Sequence, residues 1–205
     1  MIGVGNCASA IVQGVYYYRG AEKEEALGLK NLLIGDYHPR DIEFVAAFDI
    51  DERKVGKDLS QAIFSRPNNA PNIADVPNLD VEVLRGPVLD GLGEYLKKVI
   101  RISRSKEVDV VQKLKESKAD MVINLLPSGA VKASRWYAER ALEAKCAFIN
   151  ATPTLIASDA AWDKRFREAK LPAVGDDLVD QVGATMLHKI PVSYTHLTLP
   201  TKRIV

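Results

Sequence analysis

The sequence predicts an α/β fold, a doubly wound parallel sheet, and three observations carry that prediction. Short apolar runs rich in Val, Ile and Ala alternate with longer stretches at helical spacing. Most of those runs are apolar at successive positions, the pattern of strands buried on both faces of a parallel sheet. A glycine turn, Gly3-Val4-Gly5-Asn6-Cys7-Ala8, stands at the head of the first helical stretch. Repeated strand–helix order with right-handed crossovers then puts helices on both faces.

Taken in order, the elements begin with a truncated first strand. Only Met1 and Ile2 precede the glycine turn, where a strand of about five or six residues is expected. The first helix is predicted over Ala8–Tyr18. Arg19–Asp41 is long for a connection. Phe44–Phe48 reads as the second strand. Glu52–Phe64 reads as a helix with Val55, Leu59, Ala62 and Ile63 on one face. Ser65–Asn78, rich in Pro and Asn, reads as a surface loop, either functional or a plain insertion. Val81–Leu84, Met121–Leu126, Ala147–Asn150 and Pro172–Val174 follow as strands, with helices predicted at Val108–Leu114, Ala130–Ala144 and Asp159–Ala169. A helical pattern covers Val179–Ile190. Ser193–Val205 does not continue it and is expected to be a non-native tail, leaving residues 1–192 as one dinucleotide-binding domain.

The composition narrows the class. The chain has 205 residues, 47% hydrophobic and 27% charged, with a formal net charge of +1. No basic patch with interleaved aromatics points to nucleic acid. No apolar run reaches the roughly 18 residues of a membrane span. Two cysteines, Cys7 and Cys146, give no disulfide framework or metal pattern. A cytoplasmic protein is expected. His38, His188 and His196 have no metal-ligand spacing.

The glycine turn matches the G-x-G-x-x-A form of the Rossmann dinucleotide fingerprint. Gly3 makes the tight turn, Gly5 lets backbone approach a pyrophosphate, and Ala8 allows close helix–strand packing. The helix N-terminus offers N–H groups and partial positive charge to phosphates. Asp49, at the end of the second strand, has two readings: a ligand for the ribose hydroxyls of NAD, or a cap for the helix from Glu52. It stands 44 residues beyond Gly5, against a usual gap of about 20, and the Arg19–Asp41 insertion accounts for the excess. Leu126-Pro127-Ser128 ends the fourth strand on the nicotinamide side, where Ser128 either meets a phosphate or caps the next helix. Ala151 and Thr152 end the following strand and fit the same rim, or form only a turn. Asp176 and Asp177 either orient a ribose or hold a divalent ion, or serve as a helix cap.

These residues resemble the myo-inositol-1-phosphate synthase family in its bacterial and archaeal form. The resemblance rests on GVGNCASAIVQGVYYY at Gly3–Tyr18, DIEFVAAFDIDERKVGKDLSQAIF at Asp41–Phe64, RGPVLDGLG at Arg85–Gly93 and PAVGDDLVDQVGAT at Pro172–Thr185. It implies NAD-dependent conversion of glucose 6-phosphate to 1L-myo-inositol 1-phosphate: oxidation at C5, aldol closure between C6 and C1, and reduction of the ring ketone. It places Gly3, Gly5, Asn6 and Cys7 at the pyrophosphate and Asp49 at the adenosine ribose. Asp58, Tyr137 and Asp177 become further cofactor-region candidates, Asp177 also facing a metal ion. Val179-Asp180 departs from a Lys-Ser pair common in the family. The resemblance also implies a homotetramer at full length, and catalytic residues in a following domain, so that this chain alone is expected to be inactive. Another Rossmann oxidoreductase and a non-catalytic NAD-binding module are the alternatives.

Overall fold

A computed structural model describes residues 1–22, 26, 28–29 and 31–177. The helical pattern of Val179–Ile190, the Val179-Asp180 departure, His188, His196 and the Ser193–Val205 tail lie outside the described residues.

The elements run α1 (Asn6–Tyr18), β1 (Ala47–Asp49), α2 (Leu59–Ala62), β2 (Val83–Arg85), α3 (Glu94–Val99), α4 (Val110–Glu116), β3 (Met121–Asn124), α5 (Val131–Ala144), β4 (Ala147–Asn150), α6 (Ala160–Glu168) and β5 (Ala173–Val174). β1 pairs with β2, and β3 with β4 and β4 with β5, all parallel. Ile2 joins the two groups, bridging in parallel to Phe48 and to Asn124. Four backbone bonds make the seam: Phe48 N to Met1 O, Gly3 N to Phe48 O, Ile2 N to Ile123 O and Leu125 N to Ile2 O. The spatial order is therefore β2, β1, the residues around Ile2, β3, β4, β5. The short first strand lies at the centre of a Rossmann-type sheet, where the strand order reverses and a crevice opens.

Neighbouring residues of the strands point to opposite faces, and two cores result. Met1, Val4, Ala47 and Val83 pack with Ala8 and Val12 of α1 and with Leu59 and Ala62 of α2. Ile2, Phe48, Val122 and Phe148 pack with Leu114 of α4, Ala138 and Ala141 of α5, and Trp162 and Phe166 of α6. This division is the double winding. Phe48 and Phe148 are almost wholly buried, and each such side chain stabilises the fold by about 1.5–3 kcal/mol.

Caps set several helix boundaries. Asp109 accepts from the N–H of Gln112, and Asp159 from those of Ala161 and Trp162. Lys145 ends α5 in the left-handed region at φ 63°, and the chain re-enters the sheet at Ala147.

Two expectations need correction. The predicted helix Glu52–Phe64 is only the single turn Leu59–Ala62. Gly56, at φ +85°, breaks the earlier part, and the backbone of Gly56 and Lys57 bonds across to Val83. Its apolar spacing instead serves a turn laid against the sheet edge. Conversely, α3 was not anticipated from the sequence. It has no buried residue, and so no apolar stripe of the usual depth to announce it.

Candidate functional site

A cavity of about 390 Å³ opens at the C-terminal ends of the central strands. Its floor is the glycine turn, Gly3 to Cys7. One side is Phe48, Asp49, Ile50 and Lys54 after β1, and the opposite side is Leu125, Leu126 and Pro127 after β3. Pro67 and Asn68 form one wall, the 87–92 loop another, and Tyr137 the back.

The turn geometry follows from its glycines. Gly3 sits at φ +81°, and a Cβ there would stand 2.9 Å from the carbonyl oxygen of Leu125. Gly5 meets nothing within 4 Å in its Cβ direction, so the chain's backbone is open to the cavity at that point. No side chain caps α1. Its first N–H groups and the positive end of its dipole therefore face the open space, which is the chemistry of an anion site.

Asp49 does not cap a helix. Its Oδ1 accepts from the N–H groups of Ile50 and Asp51 at 2.7 and 2.9 Å, and its Oδ2 from the N–H of Val4 at 2.8 Å. The bond to Val4 fixes the carboxylate against the glycine turn, at the place a ribose takes in this fold. Tyr137 is buried against Phe48. Burial, with the charges of Asp49 and Glu107, pushes its phenol well above the usual range, so it stays protonated and can act as a donor. Gly86 lies close beside it: a Cβ there would stand 2.0 Å from the Tyr137 hydroxyl and force the ring to shift.

The Ser65–Asn78 loop is a wall rather than a plain insertion. Asn6 donates to Asn69 and accepts from the N–H groups of Asn69 and Ala70. Gln13 donates to Pro71 O and accepts from the N–H of Ile73. Asn68 donates to the carbonyls of Val4 and Ile63 and accepts from Lys54. The Asn6 side chain is thus a staple for the loop, while its backbone belongs to the glycine turn.

A second loop closes the other side. Asp90 accepts from the N–H groups of Lys132 and Ala133 at 2.7 and 2.9 Å, capping α5, which has no cap of its own. On the far side of this loop is a second cavity of about 620 Å³, lined by Val88 to Gly93, Lys97, Ile102, Ser128 and Gly129.

Of the residues expected at the site, Gly3, Gly5, Asn6, Cys7, Asp49, Leu126, Pro127 and Tyr137 line the first cavity. Ser128 lines the second. The others are not among the lining residues. Asp58 caps α2, accepting from the N–H groups of Ser60, Leu79 and Val81 and from the Ser60 hydroxyl. Ala151 donates its N–H to Asn124 O. Thr152 is 2% exposed, its hydroxyl turned to Asn150. The Asp176 carboxylate accepts from Asn150 and from the N–H groups of Ile156, Ala157 and Ser158. It is an anchor for the 152–158 turn. Among the described residues no group of three potential metal ligands gathers.

Sequence reasoning missed Lys54, Asn68 and Asp90. The Lys54 charge gave no signal within a charged, helix-like stretch, and the other two act on backbone distant in the chain.

No family model matches the chain. It is 51% identical over 191 residues to inositol-3-phosphate synthase of Mycolicibacterium smegmatis, a match covering 93% of this chain and 53% of that protein. The enzyme of the same name from Corynebacterium glutamicum is 50% identical over 189 residues, with 92% and 52% covered. The chain spans about half the length of these relatives. A crystal structure of Ari2 superposes with a TM-score of 0.79 at 32% identity, covering 96% of this chain and 58% of that one. A myo-inositol-1-phosphate synthase-related protein from Thermotoga maritima, at TM-score 0.63 and 20% identity, shares the fold.

Proposed function

We propose that this chain, a homologue of the inositol-3-phosphate synthases over half their length, is the NAD-binding portion of such an enzyme. The observation that carries the reading is the joining of the glycine turn to Asp49 through the Val4 N–H, on the floor of one cavity.

The proposed reaction is the conversion of glucose 6-phosphate to 1L-myo-inositol 1-phosphate. When bound, NAD supplies the oxidation at C5 and the later reduction of the ring ketone. The residues of this chain bind and orient. The N–H groups at the start of α1 face the pyrophosphate, and the close approach depends on Gly5 having no side chain. Asp49 Oδ2 accepts from a ribose hydroxyl. Tyr137 holds its proton and presents a hydroxyl at the back of the cavity. Leu89, Leu92, Leu96 and Ile100 make the upper wall apolar, which excludes water from an adenine face.

Residues 1–192 form the dinucleotide-binding domain in this reading, with 193–205 a non-native tail. Ring closure and binding of the sugar phosphate belong to residues beyond the half that is matched. The whole enzyme is read as cytoplasmic and tetrameric. No helix among the described residues is long and apolar enough to cross a membrane.

The test is an assay of the purified 205-residue chain with NAD and glucose 6-phosphate. Binding of NADH without formation of inositol phosphate is expected. Formation of inositol phosphate would overturn the division of labour, and a failure to bind NADH would overturn the reading as a whole.

A further inference from the structure

Cys7 and Cys146 are the two cysteines of the chain, and the fold treats them oppositely. Cys146 is fully buried, its Sγ 3.0 Å from the carbonyl of Ala119. Burial pushes its thiol pKa up, and no reagent reaches it in the folded chain. Cys7 is a free, exposed thiol. It stands on the cavity floor, at the second residue of α1. A separate observation shows that this cavity lacks an occupant. Tyr137 is 4% exposed and faces the cavity from its back wall, yet its hydroxyl has no hydrogen-bond partner among the described residues. A buried hydroxyl left unpaired is costly, so an acceptor oxygen on whatever fills the cavity is favoured there. The α1 N–H groups have no side-chain cap, and Lys54 is the one basic side chain among the described lining residues. The two lining carboxylates are already engaged, Asp49 by the N–H groups of Val4, Ile50 and Asp51 and Asp90 by those of Lys132 and Ala133. The donors around the thiol therefore suit a ligand rich in acceptors and negatively charged.

We propose that Cys7 is a modification site, where a small carboxylate-bearing disulfide leaves a mixed disulfide that closes the cavity to a dinucleotide. The closure rests on the dinucleotide reading above; the chemistry of the thiol does not. The thiolate of Cys7 is the nucleophile. It attacks one sulfur of the disulfide, the new bond to Cys7 Sγ forms as the S–S bond breaks, and the other half leaves as a thiolate. The proton that Cys7 gave up passes through water to that leaving thiolate. The Cys7 sulfur is oxidised and the departing sulfur reduced, so the disulfide itself is the oxidant, and an excess of thiol reverses the exchange. The attached group then lies over the glycine turn, with its carboxylates near the α1 N–H groups and acceptor oxygens within the reach of the cavity's donors. Its bulk fills the open space beside Gly5, and its charge takes the place that a pyrophosphate would use.

The experiment treats the purified 205-residue chain with oxidised glutathione, with and without NADH, and follows the intact mass and the peptide carrying the adduct. NADH affinity is measured by fluorescence titration before treatment, after it, and after reduction with dithiothreitol. A single glutathione adduct on Cys7 is expected, forming more slowly when NADH is present. The adduct should bring loss of NADH binding, and dithiothreitol should restore it. Cys7→Ser should take up no glutathione, and treatment should leave its own NADH affinity where it started. Cys7→Ala is the second route should Ser not fold, and circular dichroism checks both. No adduct, an adduct on Cys146, formation indifferent to NADH, or a Cys7 adduct that binds NADH as before would each overturn the proposal. An untreated chain that binds no NADH, while Cys7 still takes up glutathione, would overturn the dinucleotide reading and the closure that depends on it. Failure of the exchange in a chain that does bind NADH would overturn the proposal alone.

Discussion

Asp90 caps α5 across 42 residues of sequence, its Oδ2 accepting from the N–H of Lys132 at 2.7 Å. The same carboxylate takes the N–H of Ala133 through Oδ1. Gly91 makes the close approach possible: a Cβ there would stand 2.6 Å from that of Ala130, and its φ is +82°. The clasp holds the loop that divides the two cavities. Asp90→Ala should lower stability by about 0.5–2 kcal/mol, the range for a lost cap, and weaken NADH binding more than the stability change implies. Urea denaturation and NADH titration of the same preparation check both parts. An unchanged affinity would show that the loop is no part of the site.

Gly3 and Gly5 should separate folding from binding. Gly3→Ala forces a Cβ against the Leu125 carbonyl at positive φ, and strain of this kind costs about 1–3 kcal/mol. Gly5 has an ordinary φ of −91° and open space in its Cβ direction, so Gly5→Ala should leave the melting temperature nearly unchanged while raising the Kd for NADH. Thermal melts with and without NADH distinguish the two variants.

The amide staples should hold the 65–78 loop in place. Asn68→Ala removes donors to Val4 O and Ile63 O and leaves Lys54 with Asp49 alone. A loss of about 1–3 kcal/mol is expected, as for a buried polar group left without its partner. Limited proteolysis should show faster cleavage within the loop.

The parallel sheet and its double winding were legible because strand and helix periods differ, while the spatial order of the strands came only from their pairing. Asp49 was legible through its place at a strand end. What was not legible depends on contacts between distant residues. Nothing local distinguishes Asp58, which caps α2 and holds the Leu79 and Val81 backbone, from a carboxylate facing a ligand. The four donors to Asp176, the Asn150 amide and the N–H groups of Ile156, Ala157 and Ser158, likewise have no local pattern that announces them. The Glu52–Phe64 spacing satisfied a helix template, but Gly56 and the Gly56–Lys57 bonds to Val83 decided otherwise. Asp90 and Asn68 carry no signal because their partners are backbone N–H and C=O groups, which every residue possesses.

Acid should loosen the 152–158 turn through Asp176. Burial pushes this carboxyl up, while the Asn150 amide and the N–H groups of Ile156, Ala157 and Ser158 pull it down and prevail, holding it below the usual carboxylate range. A pKa depressed on folding contributes stability that is fully present above the unfolded value, about 3.9, and lost as pH falls through the folded one. Asp176→Asn should therefore be less stable than the wild type at neutral pH and lose less stability below about pH 4. Urea midpoints measured across the acid range give the slope for each.

Hydrogen exchange of the backbone, with and without NAD, tests the central claim most directly. The account predicts slowed exchange at the 5–8 turn, at 49–54 and in the 88–92 loop, with little change at 152–158, where Asp176 already holds the N–H groups. NAD-dependent protection that leaves the 5–8 turn untouched, or no protection anywhere, would contradict it.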